Sequence, residues 1–159
     1  MGNDRVLVAI KRPDGGVSIA DTTGWVIEEY LVMWRQTQHL PELSYRIVSP
    51  ADLPSQHDDL FDAWHDPGQG PLTIDIERAK NVWRGFIKAA ADKKLAVLDE
   101  RAKEAADAVL VGDDSAQATV KSIAQERVAL RSLHATFDLS QATTPEELKA
   151  LWPEQLSAV

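Results

Sequence analysis

From Ile76 to Val109 apolar residues fall at positions 76, 79, 83, 87, 91, 95, 98, 102, 105 and 109, in steps of three and four, with Gly85 the one glycine and no proline. A stripe of that period predicts a single long amphipathic helix. The segment "VGDDS" (111–115) then breaks it: Gly112 suits the left-handed position past a helix end, and Asp113, Asp114 or Ser115 suits the N-cap of a following helix. Ala116, Val120, Ile123, Ala124, Leu130 and Leu133 carry the pattern onward to about His134, so a helical hairpin is expected. In "TTPEELKALWPEQL", Thr143 or Thr144 caps a last short helix, Pro145 takes its first turn, and Pro153 stops it.

The two arms of this hairpin are unequal. At about 1.5 Å per residue the first spans ~50 Å and the second ~30 Å. Folding back at Gly112 sets Ala105 opposite Val120 or Lys121 and Leu98 near Arg127 or Val128, so the second arm runs out near residue 92. Trp83, Phe86 and Ile87 then lack a partner within the hairpin. An apolar stripe of that kind must be covered by the N-terminal part of the chain or by another copy, and these three residues are the predicted partner interface. Steps of four between 83 and 95 interrupt the three-four alternation like a stutter, which fits either coiled-coil association through this half of the helix or an intramolecular hairpin.

The first half reads as a small mixed unit. "RVLVAI" (5–10) and "GVSIA" (16–20) are β-branched runs flanking "KRPDGG", a hairpin signal. Trp25 to Gln38 has helical spacing with Pro41 just beyond, and "YRIVS" (45–49) predicts a third strand lying against the hairpin. The expected architecture is α+β: a ββαβ unit over 1–56, an aromatic and acidic joint over 57–74, and a helical hairpin with a C-terminal helix over 75–159. In the joint, Leu60, Phe61 and Trp64 face inward, with Phe61 and Trp64 buried where the two parts meet. Asp58 or Asp59 caps a short helical turn there, and Asp75 caps the long helix.

The joint also holds the densest set of possible ligands, Asp58, Asp59, Asp62, His65, Asp66 and Asp75. Their spacing matches no EF-hand loop, which needs a central glycine and a glutamate at its twelfth position, so no metal or cofactor is expected. There is no cysteine for a thiolate nucleophile or zinc site, no G-x-S-x-G elbow, no H-E-x-x-H pair and no glycine-rich phosphate loop. The four histidines, at 39, 57, 65 and 134, lie far apart, and the pairs Glu28–Glu29 and Asp113–Asp114 suit solvated faces and caps. No catalytic site is predicted. A net charge of −8 disfavours a phosphate-binding surface and hence nucleic acid as a partner. With no secretory or long apolar segment, neither export nor a membrane span is expected, and the protein is read as intracellular when made.

The order "PDGGVSI", "YRIVSPADLP", "LFDAW" before a glycine turn, "IDIERAKNVWRGFI", "ERVALRSL" and "TPEELKALWP" resembles small proteins encoded beside tail or tail-fibre genes in bacteriophages and prophages of proteobacteria. The resemblance covers most of the chain. Phe61, Ala63 and Trp64 match its aromatic-Ala-Trp patch, Asp75, Ala79 and Lys80 its Asp-initiated long helix, and Leu130 and Arg131 its leucine-arginine step. The chain departs from that pattern at Ser132, where an aspartate is usual, and in a longer Trp25–Gln38 segment. The resemblance implies a non-enzymatic tail-associated protein, a structural subunit or assembly factor of the tail-fibre or tail-tip region, made in the host cytoplasm and either retained in the virion tail or not. Its partners would be tail, tail-fibre or baseplate proteins, or further copies joined through the N-terminal half of the long helix. The alternative is an acidic phage-encoded inhibitor of a host protein, of DNA-mimic or anti-defence type. A mimic needs carboxylates in a long stripe, whereas the long helix interleaves Arg78, Lys80, Arg84, Lys88, Lys93, Lys94, Arg101 and Lys103 with its acids.

Overall fold

The computed structural model describes residues 5–38 and 43–157; Pro41 lies outside the described residues. The fold is α+β, with a small antiparallel sheet, a long helix, a second helix and a short C-terminal one. The chain divides into two compact units, Met1–Ala79 and Lys80–Val159.

In the first unit β1 (Leu7–Lys11) is the centre of a three-stranded antiparallel sheet, flanked by β2 (Val17–Asp21) and β3 (Tyr45–Val48). The β1–β2 turn closes through Arg12 N–H to Gly16 O at 2.8 Å and Gly15 N–H to Arg12 O at 3.0 Å. Gly15 sits there at φ +84°, a conformation that opposes any side chain. The continuous run Leu7, Val8, Ala9, Ile10 is buried throughout because both faces of β1 are covered. On one face Val8, Ile10 and Ala20 pack under helix α1 (Ile27–Gln38) through Leu31, Ile27, Tyr30 and Trp34. On the other, Leu7, Ala9, Val17 and Val48 pack with Trp64, Leu72, Leu53, Phe61 and Ile74.

That second cover is the segment predicted to be a joint. It forms a 3-10 segment, Ser55–Ala63, kinked at His57 and Leu60, followed by two-residue strands β4 (Trp64–His65) and β5 (Thr73–Ile74) paired as Trp64↔Ile74 and His65↔Thr73. The segment starts after Pro54 without a side-chain cap. Leu60 and Trp64 do face inward, but the interior that Trp64 joins is that of the first unit. The expected 57–74 linker is a layer of the first unit.

Helix α2 (Ile76–Leu110) is continuous over its 35 residues. Asp75 Oδ1 accepts the N–H groups of Glu77 at 3.0 Å and Arg78 at 3.1 Å, capping the helix as expected. In the second unit α3 (Ala116–Thr136) returns along α2, tied by Asp99 to Arg127 at 2.8 Å and Lys94 to Glu126 at 2.7 Å. Ile87, Ala91, Leu98, Ala105, Ile123, Leu130 and Leu156 form the core between them. Ala124, expected on the inner side of α3, is exposed. Thr144 and Glu147 make a reciprocal capping box at the start of α4 (Pro145–Ala150), with Pro145 in its first turn.

Candidate partner-binding surfaces

The predicted interface residues lie on the N-terminal half of α2, beyond the reach of α3. At about 1.5 Å per residue the 35 residues of α2 exceed the 21 of α3 by roughly 20 Å. The structure fills that length from within the second unit. After α3 the chain turns back, and its C-terminal segment lies over Trp83 and Ile87. Trp83 Nε1–H donates to Leu151 O at 2.8 Å, and its ring meets Trp152 edge-on at 5.7 Å between centroids. Lys94 Nζ donates to Gln155 O at 2.7 Å, and Leu156 joins the cluster around Ile87. The premise that this stripe needs the first sixty residues or a second copy is therefore corrected. Ile87 is fully buried and Trp83 half-buried. Phe86, 39% exposed and edge-on to Trp83 at 5.6 Å, is the one of the three with substantial free surface.

Phe61 and Trp64, predicted as the inter-unit joint, pack on each other with centroids 5.0 Å apart and against the sheet. Trp64 Nε1–H donates to His57 O at 3.3 Å, which satisfies the one polar atom of a side chain only 3% exposed.

The carboxylates of the acidic cluster are dispersed into local roles. Asp62 pairs with Arg12 at 3.2 Å, and Asp75 caps α2. Asp66 is buried and accepts from Arg46 Nε at 2.7 Å and Gly68 N–H at 2.9 Å, while Arg46 also donates to Gly70 O at 2.7 Å. Burial of Asp66 raises its pKa, but the Gly68 N–H and the Arg46 guanidinium outweigh it, so the carboxyl lies below its ordinary value. Among the described residues no three acidic, histidine or cysteine side chains come together as a metal site. A second ionic group ties the β1–β2 turn to its surroundings. Arg78 donates to the Asp14 backbone oxygen, to Asp14 Oδ2 at 3.1 Å and to Asp62 O at 3.1 Å. The Gly16 N–H, with Arg12 and Arg78, holds the Asp14 pKa below its usual value against the opposing effect of burial.

The largest apolar side chains left in solvent on the first unit belong to α1, its N-terminal approach and β3. α1 is apolar on more than its packed side, with Val32 and Met33 exposed; just before it Val26 is exposed too, and Trp25, 59% exposed, meets Tyr30 edge-on at 6.2 Å. The register Val8↔Ile47 and Ile10↔Tyr45 puts Ile47 and Tyr45 on the sheet face that α1 covers, yet Ile47 is 61% exposed. α1 thus shields β1 and β2 and leaves Tyr45 and Ile47 of β3 open. Sequence periodicity around Trp25–Met33 signals the helix but not which of its many apolar positions stay in water. Alternation in a four-residue strand likewise does not reveal that its neighbour stops short of it.

No protein-family model, curated protein or solved structure matches the chain. Among the described residues no helix is long and apolar enough to cross a membrane.

Proposed function

We propose that the chain is a non-enzymatic, protein-binding component of a bacteriophage tail, acting as a structural subunit or assembly factor of the fibre or tip region. The observation that carries the protein-binding part is the open apolar surface of Trp25, Val26, Val32, Met33, Tyr45 and Ile47, large side chains of the kind that interfaces bury. The tail assignment rests on the resemblance of "YRIVSPADLP", "LFDAW" and "TPEELKALWP" to proteins encoded beside tail genes. Such a protein meets tail, fibre or baseplate subunits.

Co-expression with the fibre and baseplate subunits of the same phage, followed by size-exclusion chromatography, tests this. The expected result is co-elution with one of them, lost in Val32→Asp with Met33→Asp while the helical circular dichroism is retained. A chain that co-elutes with none of these subunits but inhibits a host nuclease or polymerase would contradict the proposal and favour the acidic inhibitor.

A further inference from the structure

The turn joining α2 to α3 is built more rigidly than a linker needs to be. Gly112, at φ +92°, donates to Val109 O at 3.1 Å, and Asp113 N–H reaches back to Ala108 O at 3.0 Å, the paired bonds of a Schellman C-cap. Asp113 Oδ1 then accepts from Ser115 N–H at 3.0 Å and Ser115 Oγ–H at 2.6 Å, starting α3. On this fixed turn stand Leu110 and Val111, 84% and 86% exposed, adjacent aliphatic side chains for which the hairpin core has no use. Beside them Ala106, Val109, Leu110, Gln117 and Val120 line a shallow apolar recess of about 410 Å³.

Acidic residues are concentrated at this tip, between Lys103 and Lys121. Residues 104–120 contain four carboxylates, Glu104, Asp107, Asp113 and Asp114, and no lysine or arginine, which amounts to half of the net charge of −8 in 17 of 159 positions. The nearest preceding cation, Lys103, is held by Glu100 at 2.7 Å. The last turn of α2 has no basic residue to meet the negative end of its dipole, the arrangement that helix stability favours. Asp113 and Asp114 suit the N-terminus of α3, whereas Asp107 in the last turns of α2 and the two exposed aliphatics oppose local stability, and a binding role accounts for them.

We propose that the hairpin tip is a plug: Leu110 and Val111 insert into an apolar socket rimmed by lysine or arginine on another protein, with the acidic ring supplying the electrostatic match. A second copy is the wrong occupant, since two tips would bring four carboxylates against four. The inference deepens the tail-component reading and rests on it, the socket belonging to a tail subunit.

The probe is the purified tail-fibre subunit of the same phage, titrated against the parent, Leu110→Ser with Val111→Ser, and Asp107→Lys with Asp114→Lys, at 50 and 300 mM NaCl. All altered side chains are exposed, and melting curves report whether each variant folds. Both variants should bind at least about tenfold more weakly with unchanged melting, and the parent should weaken at the higher salt as screening shortens the reach of the acidic ring. Parent-like binding by both variants would overturn the plug and leave the tail reading standing. A parent that binds no fibre subunit would overturn the plug, and one that also binds no baseplate subunit would overturn the tail reading with it. Loss of self-association in the serine variant would also overturn the plug, by showing a second copy to be the occupant.

Discussion

Trp64 shows how one side chain settles the first unit. It fills the space against Leu7, Ala9, Val17 and Leu72 while its indole N–H reaches His57 O, so neither the apolar body nor the polar tip is left unsatisfied. Trp64→Ala should cost about 3–5 kcal/mol of unfolding free energy in urea titration. A change below about 1 kcal/mol would place the ring outside the core. Asp66 tests the polar side of the same unit. Its folded pKa lies below the ordinary 3.8, so its contribution is fully present above that value and is lost as the pH falls through the folded pKa. Asp66→Asn should therefore destabilise by roughly 2 kcal/mol at pH 7, the scale of hydrogen bonds to a charged group. The gap from the parent should close below pH 4. A pH-independent gap would mean that packing, not charge, holds this corner. Neither the Arg46–Asp66 pair nor the Asp14–Arg78 pair was legible in the sequence, because partners 20 and 64 positions apart meet only once the layers have formed.

At the scale of elements, the parts that punctuation and periodicity can describe were legible. The β1–β2 hairpin, α1, β3, the full run of α2 with its Asp75 cap, the Gly112 turn and a threonine cap at 143 or 144 all follow from local signals, the reciprocal bond to Glu147 being added by the structure. What stayed hidden has a common cause. β4 and β5 are two residues each, too short for alternation to show, so a covering layer read as a joint. The C-terminal segment contains one six-residue helix and several prolines, and no period announces that Leu151, Trp152 and Leu156 return to α2. Deleting residues 139–159 should leave Trp83 and Ile87 uncovered, and the truncated chain should bind hydrophobic dye and aggregate in light scattering. A monomeric, dye-silent truncation would show that something else covers the stripe. Thr144→Ala is the milder version, expected to lower stability by about 1 kcal/mol, measurable as a shift in melting temperature.

For the molecule as a whole, the chain carries open apolar side chains on its first unit and an acidic aliphatic tip on its second, two chemically different exposed surfaces. A net charge of −8 opposes phosphate binding, and the mixed-sign long helix differs from the unbroken carboxylate stripe of a DNA mimic. Both features accord with a protein that meets other proteins during tail construction. The most direct measurement of the proposed tail role places a stop codon early in this gene within the phage proposed to carry it and images the particles released from suppressing and non-suppressing hosts. Filled heads with missing or incomplete fibres or tips are expected in the non-suppressing host, together with a collapse in plaque number. Complete, infectious particles released in undiminished number would contradict that role.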